Sequence, residues 1–69
     1  MQVLIEENSN PTNEFNAFNV DTAERVADRN RKMLSEGTVP NWIVIGVAES
    51  PTHARAWVEA YLAARADRQ

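Results

Sequence analysis

The segment that most constrains this chain is Trp42–Ala48, seven consecutive residues that carry no polar side chain. Its length and its β-branched residues favour a buried strand over part of a helix. An apolar run of this kind is typical of a central strand, and a strand–helix–strand order ordinarily joins two parallel strands by a right-handed crossover. We therefore predict a central strand over residues 41–48 that lies parallel to at least one neighbour.

Two further strands are predicted before it. Residues 2–7 begin with aliphatic and β-branched side chains and end in acids, a pattern that indicates a short strand. Residues 14–20 contain Phe15 and Phe18 and are bounded in the same way. A two-strand ribbon is the simplest pairing of the two, and residues 8–13 between them, rich in turn-forming asparagine, serine and proline, are predicted to form a loop.

A first helix is predicted over residues 21–36. Asp21 is placed to accept from the free amides of the first turn, and Glu24 would complete a capping box. Gly37 would end the helix, since glycine tolerates the left-handed conformation of a C-terminal cap. Asn30 interrupts the apolar stripe, either as a polar side chain bonded to a loop backbone or as a buried amide that fixes the register of an interface.

A second helix is predicted over residues 51–66. Ser50 is a favoured N-cap residue, and Pro51 suits the first helical position because its missing amide hydrogen has no partner there. Ser50 lies near His53, the only histidine of the chain. A nucleophilic serine on a strand-to-helix turn belongs to a Gly-x-Ser-x-Gly motif, and both glycines are absent here. Capping is therefore the predicted role, and no catalytic residue is expected.

The composition narrows the class of protein further. A chain of 69 residues makes one small domain, and without cysteine and with one histidine neither a disulfide nor a structural metal site is expected. No cofactor is expected either. The longest apolar run is far shorter than the roughly 20 residues that a membrane helix needs, and the first residues include acids rather than a signal peptide. We predict a cytoplasmic protein without a membrane partner.

These elements predict an α+β fold of order ββαβα, with a three-stranded sheet and two helices packed on one face. The face that the helices leave open would then be apolar, which a soluble monomer seldom tolerates. The segment 14–20 could fold over it. Alternatively, a second copy of the chain or a larger protein partner could cover it, with Trp42, Phe15 and Phe18 as candidate anchors, because aromatic residues dominate interface energies.

A basic cluster on the first helix offers another candidate surface. It consists of Arg25, Arg29, Arg31 and Lys32, four of the seven basic residues of the chain. Such a cluster can be a solvated helix face, or it can bind an acidic protein groove or the phosphates of a nucleic acid. The net charge of −3 disfavours a general nucleic-acid binder, so nucleic-acid regulation is the alternative function rather than the leading one.

The apolar strand that runs through Glu49 and Ser50 into the Ala-x-x-Trp-Val pattern of residues 54–58 resembles endings of small phage-encoded accessory proteins. Some of those proteins are anti-CRISPR-like inhibitors of host defence. The resemblance implies a non-enzymatic protein-binding module that blocks a larger host protein or complex by occupying its surface, in the host cytoplasm. It covers about a third of the chain and assigns no functional residue.

Overall fold

A computed structural model describes residues 1–13 and 16–67 of the chain. The elements are the strands β1 (Val3–Asn8), β2 (Phe18–Asp21) and β3 (Trp42–Ala48) and the helices α1 (Ala23–Ser35) and α2 (Pro51–Asp67). This order confirms the predicted α+β class. The second strand is shorter than the predicted residues 14–20 and begins at Phe18, while Glu14 and Phe15 lie outside the described residues.

The three strands form one sheet in the order β2-β1-β3, and both pairings are antiparallel. The predicted ribbon of the first two strands is confirmed. The prediction that β3 is central and parallel to a neighbour is wrong. Because β2 and β3 are each antiparallel to β1, they do run in the same direction, as the crossover rule requires, but β1 lies between them and β3 is left at an edge.

A β-bulge interrupts the pairing of β3 with β1. The register passes from Ile5 opposite Gly46 to Glu6 opposite Val44, so Ile45 is the extra residue. A bulge of this kind changes which way the following side chains point. Ile45 packs against the core, and Gly46 lies directly under the ring of Trp57.

The core lies between the sheet and α2. Val3 and Ile5 lie on the same side of β1 because they are two residues apart in the strand. There they pack with Ala48 of β3 and Ala54 of α2. Val20, Ile45, Trp57 and Val58 surround this cluster. We call this side of the sheet the α2 face.

The opposite side of the sheet carries α1. The two helices therefore lie on different faces, whereas the sequence predicts that they share one. Glu6 points away from Ile5 because successive strand residues alternate, and its carboxylate is bound by Arg29 of α1. The physical reason is this buried acid, since a carboxylate that is only 1% exposed needs a cation beside it. We call this side the α1 face.

The N-cap of α1 lies one residue later than predicted, and the helix spans Ala23–Ser35 rather than residues 21–36. Thr22, rather than Asp21, is the N-cap, and its side chain accepts from the amide of Arg25 at 3.3 Å. Asp21 accepts from the amide of Thr22 at 2.8 Å and so supports the cap from outside. Glu24 lies in the first turn. Gly37 follows the helix with a φ of +80°, which only glycine adopts without strain.

Replacing Thr22 by alanine is expected to destabilise the fold by about 1 kcal/mol, because the amide of Arg25 loses its acceptor. The free energy of unfolding in urea measures the effect. Ser9→Ala is the matched control, since Ser9 is exposed and lies outside the helices, and it should change stability by less than about 0.5 kcal/mol. Equal effects of the two substitutions would contradict the cap.

The folded chain leaves an unusually large surface in water. Its accessible area is 5221 Å², whereas a monomer of its 7.8 kDa mass is expected to expose roughly 4,400 Å². The radius of gyration of 12.9 Å also exceeds the roughly 11 Å expected for this length. Roughly 800 Å² is therefore exposed beyond what a compact monomer of this size shows.

Candidate functional site

The candidate site is the free edge of β3, which we call the β3 edge and define as Trp42–Ala48. Among the described strands β3 pairs with β1 alone. Three of its aliphatic residues are about half exposed, Ile43 at 56%, Val44 at 48% and Val47 at 49%. No residue of the strand is charged. A long, uncharged and apolar edge strand is a template for pairing with another chain.

The exposed side chains lie on both faces of the sheet, because opposite residues of paired strands share a face. Ile43 is opposite Glu7 and so lies on the α2 face. Val44 and Val47 are opposite Glu6 and Leu4 and lie on the α1 face. A strand added at this edge would therefore meet apolar side chains above and below the sheet.

The other outer strand shows how such an edge can be protected. β2 has only four residues and ends at Asp21, and shortness and charge are two common ways of preventing edge pairing. β3 has seven residues and has neither feature. The bulge at Ile45 is its one irregularity. A bulge can twist an edge away from other strands, but this one leaves Val44 and Val47 exposed on the same face.

The aromatic residues predicted as anchors are less available than these aliphatic ones. Phe18 is half-buried and meets Tyr61 edge-on at 6.1 Å between ring centroids, and Tyr61 in turn stacks on Trp57 at 5.3 Å. Trp42 is half-buried, with the guanidinium of Arg29 at 6.0 Å from its ring centroid. Phe15 lies outside the described residues. The structure thus shifts the candidate site from aromatic to aliphatic side chains.

The predicted basic cluster contains a buried structural pair. Arg29 donates two hydrogen bonds to Glu6, from Nη1 to Oε1 at 2.8 Å and from Nη2 to Oε2 at 2.7 Å. Asn19 adds a third to Oε1 at 3.0 Å. The hydrogen bonds from Arg29 lower the pKa of Glu6 below its ordinary value, although burial acts in the opposite direction.

Asn30 orients this pair. Its side-chain oxygen accepts from Nε of Arg29 at 3.2 Å and from Nη2 at 2.9 Å. Neither predicted role of Asn30 described this contact with its own neighbour in sequence. Because the guanidinium is held by Asn30, Glu6 and the ring of Trp42, Arg29 supports the sheet rather than presenting a free charge to a partner.

Two other members of the cluster also pair with acids. Arg25 lies 3.9 Å from Asp21, and Arg31 pairs with Asp28. Lys32 makes no ion pair with any residue that the structure describes. Exposed pairs contribute little to stability, but they reduce the positive potential that the cluster could offer to phosphates.

A second acid of β1 ties the sheet to the last turns of α2. Glu7 accepts from Nη2 of Arg65 at 2.7 Å and from the hydroxyl of Tyr61 at 3.1 Å. The guanidinium of Arg65 lies 4.6 Å from the ring centroid of Tyr61. The hydrogen bond to Glu7, and then that to Tyr61, raise the pKa of Arg65 above its ordinary value. Neither Glu6 nor Glu7 is among the predicted site residues.

Ser50 and His53 are in contact through their side chains. The Oγ of Ser50 and Nδ1 of His53 are 2.7 Å apart, and the same Oγ accepts from the amide of His53 at 3.2 Å. Both contacts stay within the first turn of α2, whose first residue is Pro51. The hydroxyl therefore acts on the local backbone, as an N-cap does.

Other features of the described residues offer little as sites. A groove of about 320 Å³ lies between the starts of the two helices, and its charged lining residues Asp21 and Arg25 already pair with each other. Within residues 1–13 and 16–67, no three histidine or acidic side chains converge where they could hold a metal ion. Over the same residues, neither helix is both long and apolar enough to cross a bilayer.

The fold and this site define a small α+β domain with one exposed apolar strand edge. Comparisons with protein-family models, with curated proteins and with solved structures find no match to this chain.

Proposed function

We propose that this chain is a small non-enzymatic protein-binding module that binds through the β3 edge. The observation that carries the proposal is that one seven-residue strand, β3, has both exposed apolar side chains and a free edge. Backbone amides and carbonyls along such an edge give affinity to an added strand, and the side chains between them give specificity.

The mode of action that fits this surface is blocking by occupancy. A strand added to β3 would place its own side chains beside Ile43 on one face and beside Val44 and Val47 on the other. The resemblance to phage-encoded inhibitors extends the proposal to a larger host protein as the target, within the cytoplasm. The bound surface of the target would then be closed to its usual partners.

Nucleic-acid binding through α1 is the alternative, and it has less support. It relies on Arg25, Arg29, Arg31 and Lys32, of which the first three are each paired with an acid. Binding to phosphates would have to break or share these pairs. It would also weaken steeply with salt, which gives a direct way to recognise it.

The test is affinity capture with three baits. Each bait is incubated with a lysate of the organism that encodes the chain, or of its host. The baits are the unchanged chain, Val44→Lys in the β3 edge, and Ala60→Lys on the exposed side of α2. We expect a protein that is retained by the unchanged chain and by Ala60→Lys but is reduced at least about tenfold by Val44→Lys, because an ammonium group cannot be buried at the edge without a partner.

The same capture separates the outcomes. Circular dichroism first verifies that both variants are folded. Proteins that all three baits retain equally would place binding elsewhere on the chain and contradict the proposal. Captured nucleic acid that is released by moderate salt and by Arg25→Glu, with Val44→Lys unaffected, would favour the alternative.

A further inference from the structure

We propose that a second copy of this chain occupies the β3 edge, so that two copies pair antiparallel and form one continuous six-stranded sheet. The inference rests on the proposed function, since it names the partner of the same site. Each copy would contribute its sheet in the order β2-β1-β3, and a two-fold axis would pass between the two β3 strands. The β2 strands would become the outer edges.

The absence of charged side chains from Trp42–Ala48 fits this pairing. In a two-fold interface each residue can meet its own counterpart or a near neighbour, so a charged side chain in the strand would meet a like charge. Trp42–Ala48 contains none. The nearest acid, Glu49, directly follows the strand. Antiparallel pairing places the two copies of Glu49 at opposite ends, roughly 20 Å apart and beyond the screening length of about 8 Å.

The exposed area fits it as well. The 5221 Å² surface of the chain exceeds the expectation for its mass by roughly 800 Å². This excess belongs to the whole chain, including Leu34, Val39 and Leu62 outside the strand. A stable interface of standard size buries roughly as much on each partner. The exposed side chains Ile43, Val44 and Val47 would pack beside side chains of the neighbouring strand and lose part of their contact with water in both copies. Burial of apolar area is favourable.

The pairing would also close both layers of the assembly. Val44 and Val47 lie on the α1 face, and Ile43 lies on the α2 face, where Leu62 of α2 is also 43% exposed. The two copies of α1 would flank the junction on one side and the two copies of α2 on the other. A foreign partner that uses the same edge would then have to displace the second copy.

The first experiment measures mass by light scattering after gel filtration, between about 1 and 200 μM. We expect the unchanged chain and Ala60→Lys to approach twice the chain mass of 7.8 kDa. Val44→Lys should remain folded and raise the dissociation constant about 100-fold or more, because each dimer then carries two lysines at its centre. Circular dichroism verifies that the variant is folded.

The second experiment uses the absence of cysteine from the chain. Single substitutions Ile43→Cys, Val44→Cys and Val47→Cys are oxidised mildly, with Ala60→Cys as the control. At least one β3 position should form a disulfide-linked dimer, because positions near the two-fold axis bring their counterparts within the roughly 4.4–6.8 Å between Cα atoms that a disulfide needs. Ala60→Cys should stay monomeric.

The outcomes distinguish this inference from the proposed function. A chain that stays monomeric throughout the concentration range, or a dimer that Val44→Lys leaves intact, would overturn pairing with a second copy. In the first case, a protein captured by the unchanged chain and lost with Val44→Lys would still support a binding module with a foreign partner. If neither self-association nor capture depends on Val44, both proposals fail.

Discussion

Replacing Arg29 by methionine is expected to destabilise the fold by about 3 kcal/mol at neutral pH. The variant leaves the carboxylate of Glu6, which is 1% exposed, without the two hydrogen bonds from the guanidinium. Removing one partner of a buried pair strands the other charge, at a cost of about 3–5 kcal/mol. A single core of this size supplies only about 3–5 kcal/mol in total, so the midpoint of urea unfolding should fall sharply.

The loss should also depend on pH in a defined direction. In the unchanged chain the pKa of Glu6 lies below its ordinary value of 4.5. The pair therefore stabilises the fold fully above that value, and this contribution is lost as the pH falls through the pKa of the folded state. Without Arg29, the effect of burial, which raises the pKa of Glu6, is opposed only by the weaker effect of the hydrogen bond from Asn19. The pKa of Glu6 should then rise, so acid should relieve the variant. The difference between the two proteins should shrink from pH 7 to pH 3.

Two controls isolate the buried pair. Arg25→Met removes a cation whose side chain is 77% exposed and lies 3.9 Å from its acid, so its effect should stay below about 0.5 kcal/mol. The double variant Glu6→Gln with Arg29→Met should be more stable than Arg29→Met alone, because no buried charge remains. If Arg29→Met were as stable as Arg25→Met at pH 7, the structural role of the pair would be wrong.

Substituting alanine for Gly46 is expected to cost about 2 kcal/mol. A Cβ at this position would lie 2.5 Å from Cζ2 and 2.8 Å from Cε2 of Trp57, and the stacked ring of Tyr61 limits how far Trp57 can move. Overpacking of this kind costs about 1–3 kcal/mol. The backbone of Gly46 is not in the left-handed region, so alanine regains part of this through a less flexible unfolded chain, about 0.4–1 kcal/mol.

A double-mutant cycle tests that the clash is with Trp57 itself. Trp57→Leu is destabilising alone because it removes a large core side chain. In the Gly46→Ala background it should cost less, since the smaller side chain makes room for the new methyl group, and a coupling of at least about 1 kcal/mol is expected from urea unfolding. Purely additive effects would show that Gly46→Ala acts on the strand and not on the contact with the ring.

Local signals predicted most of the elements, because they depend on near neighbours in sequence. Ser50 and Pro51 mark the start of α2, and Gly37 marks the end of α1 through its backbone conformation. The N-cap of α1 was predicted one residue too early because Asp21 and Thr22 are both good cap residues. In the structure Thr22 caps the helix, and Asp21 accepts a hydrogen bond from the amide of Thr22. Cap choice between adjacent residues depends on where β2 ends.

The arrangement of the sheet was harder to predict, because it depends on partners distant in sequence. An apolar run can belong to a strand buried between layers or to a strand that is partly exposed at a sheet edge, and periodicity alone does not distinguish these two positions for β3. The informative signal was in β1. Glu6 alternates with Ile5, so an acid occupies the inner side of a strand, and such an acid requires a cation from an element on that side. Arg29 meets this requirement and places α1 opposite α2.

The central position of β1 bears on how the chain reaches its native state. β1 precedes every other described element, yet its partner residues in β3 lie roughly forty positions further along, and the core residue Ala54 lies further still. Contacts between residues so far apart in sequence slow folding, because the chain loses the entropy of loop closure before these contacts stabilise it. Until Trp42–Ala48 pairs with β1, one edge of β1 has no hydrogen-bonding neighbour. Conditions that delay this pairing would therefore leave both β1 and β3 open to aggregation, rather than β3 alone.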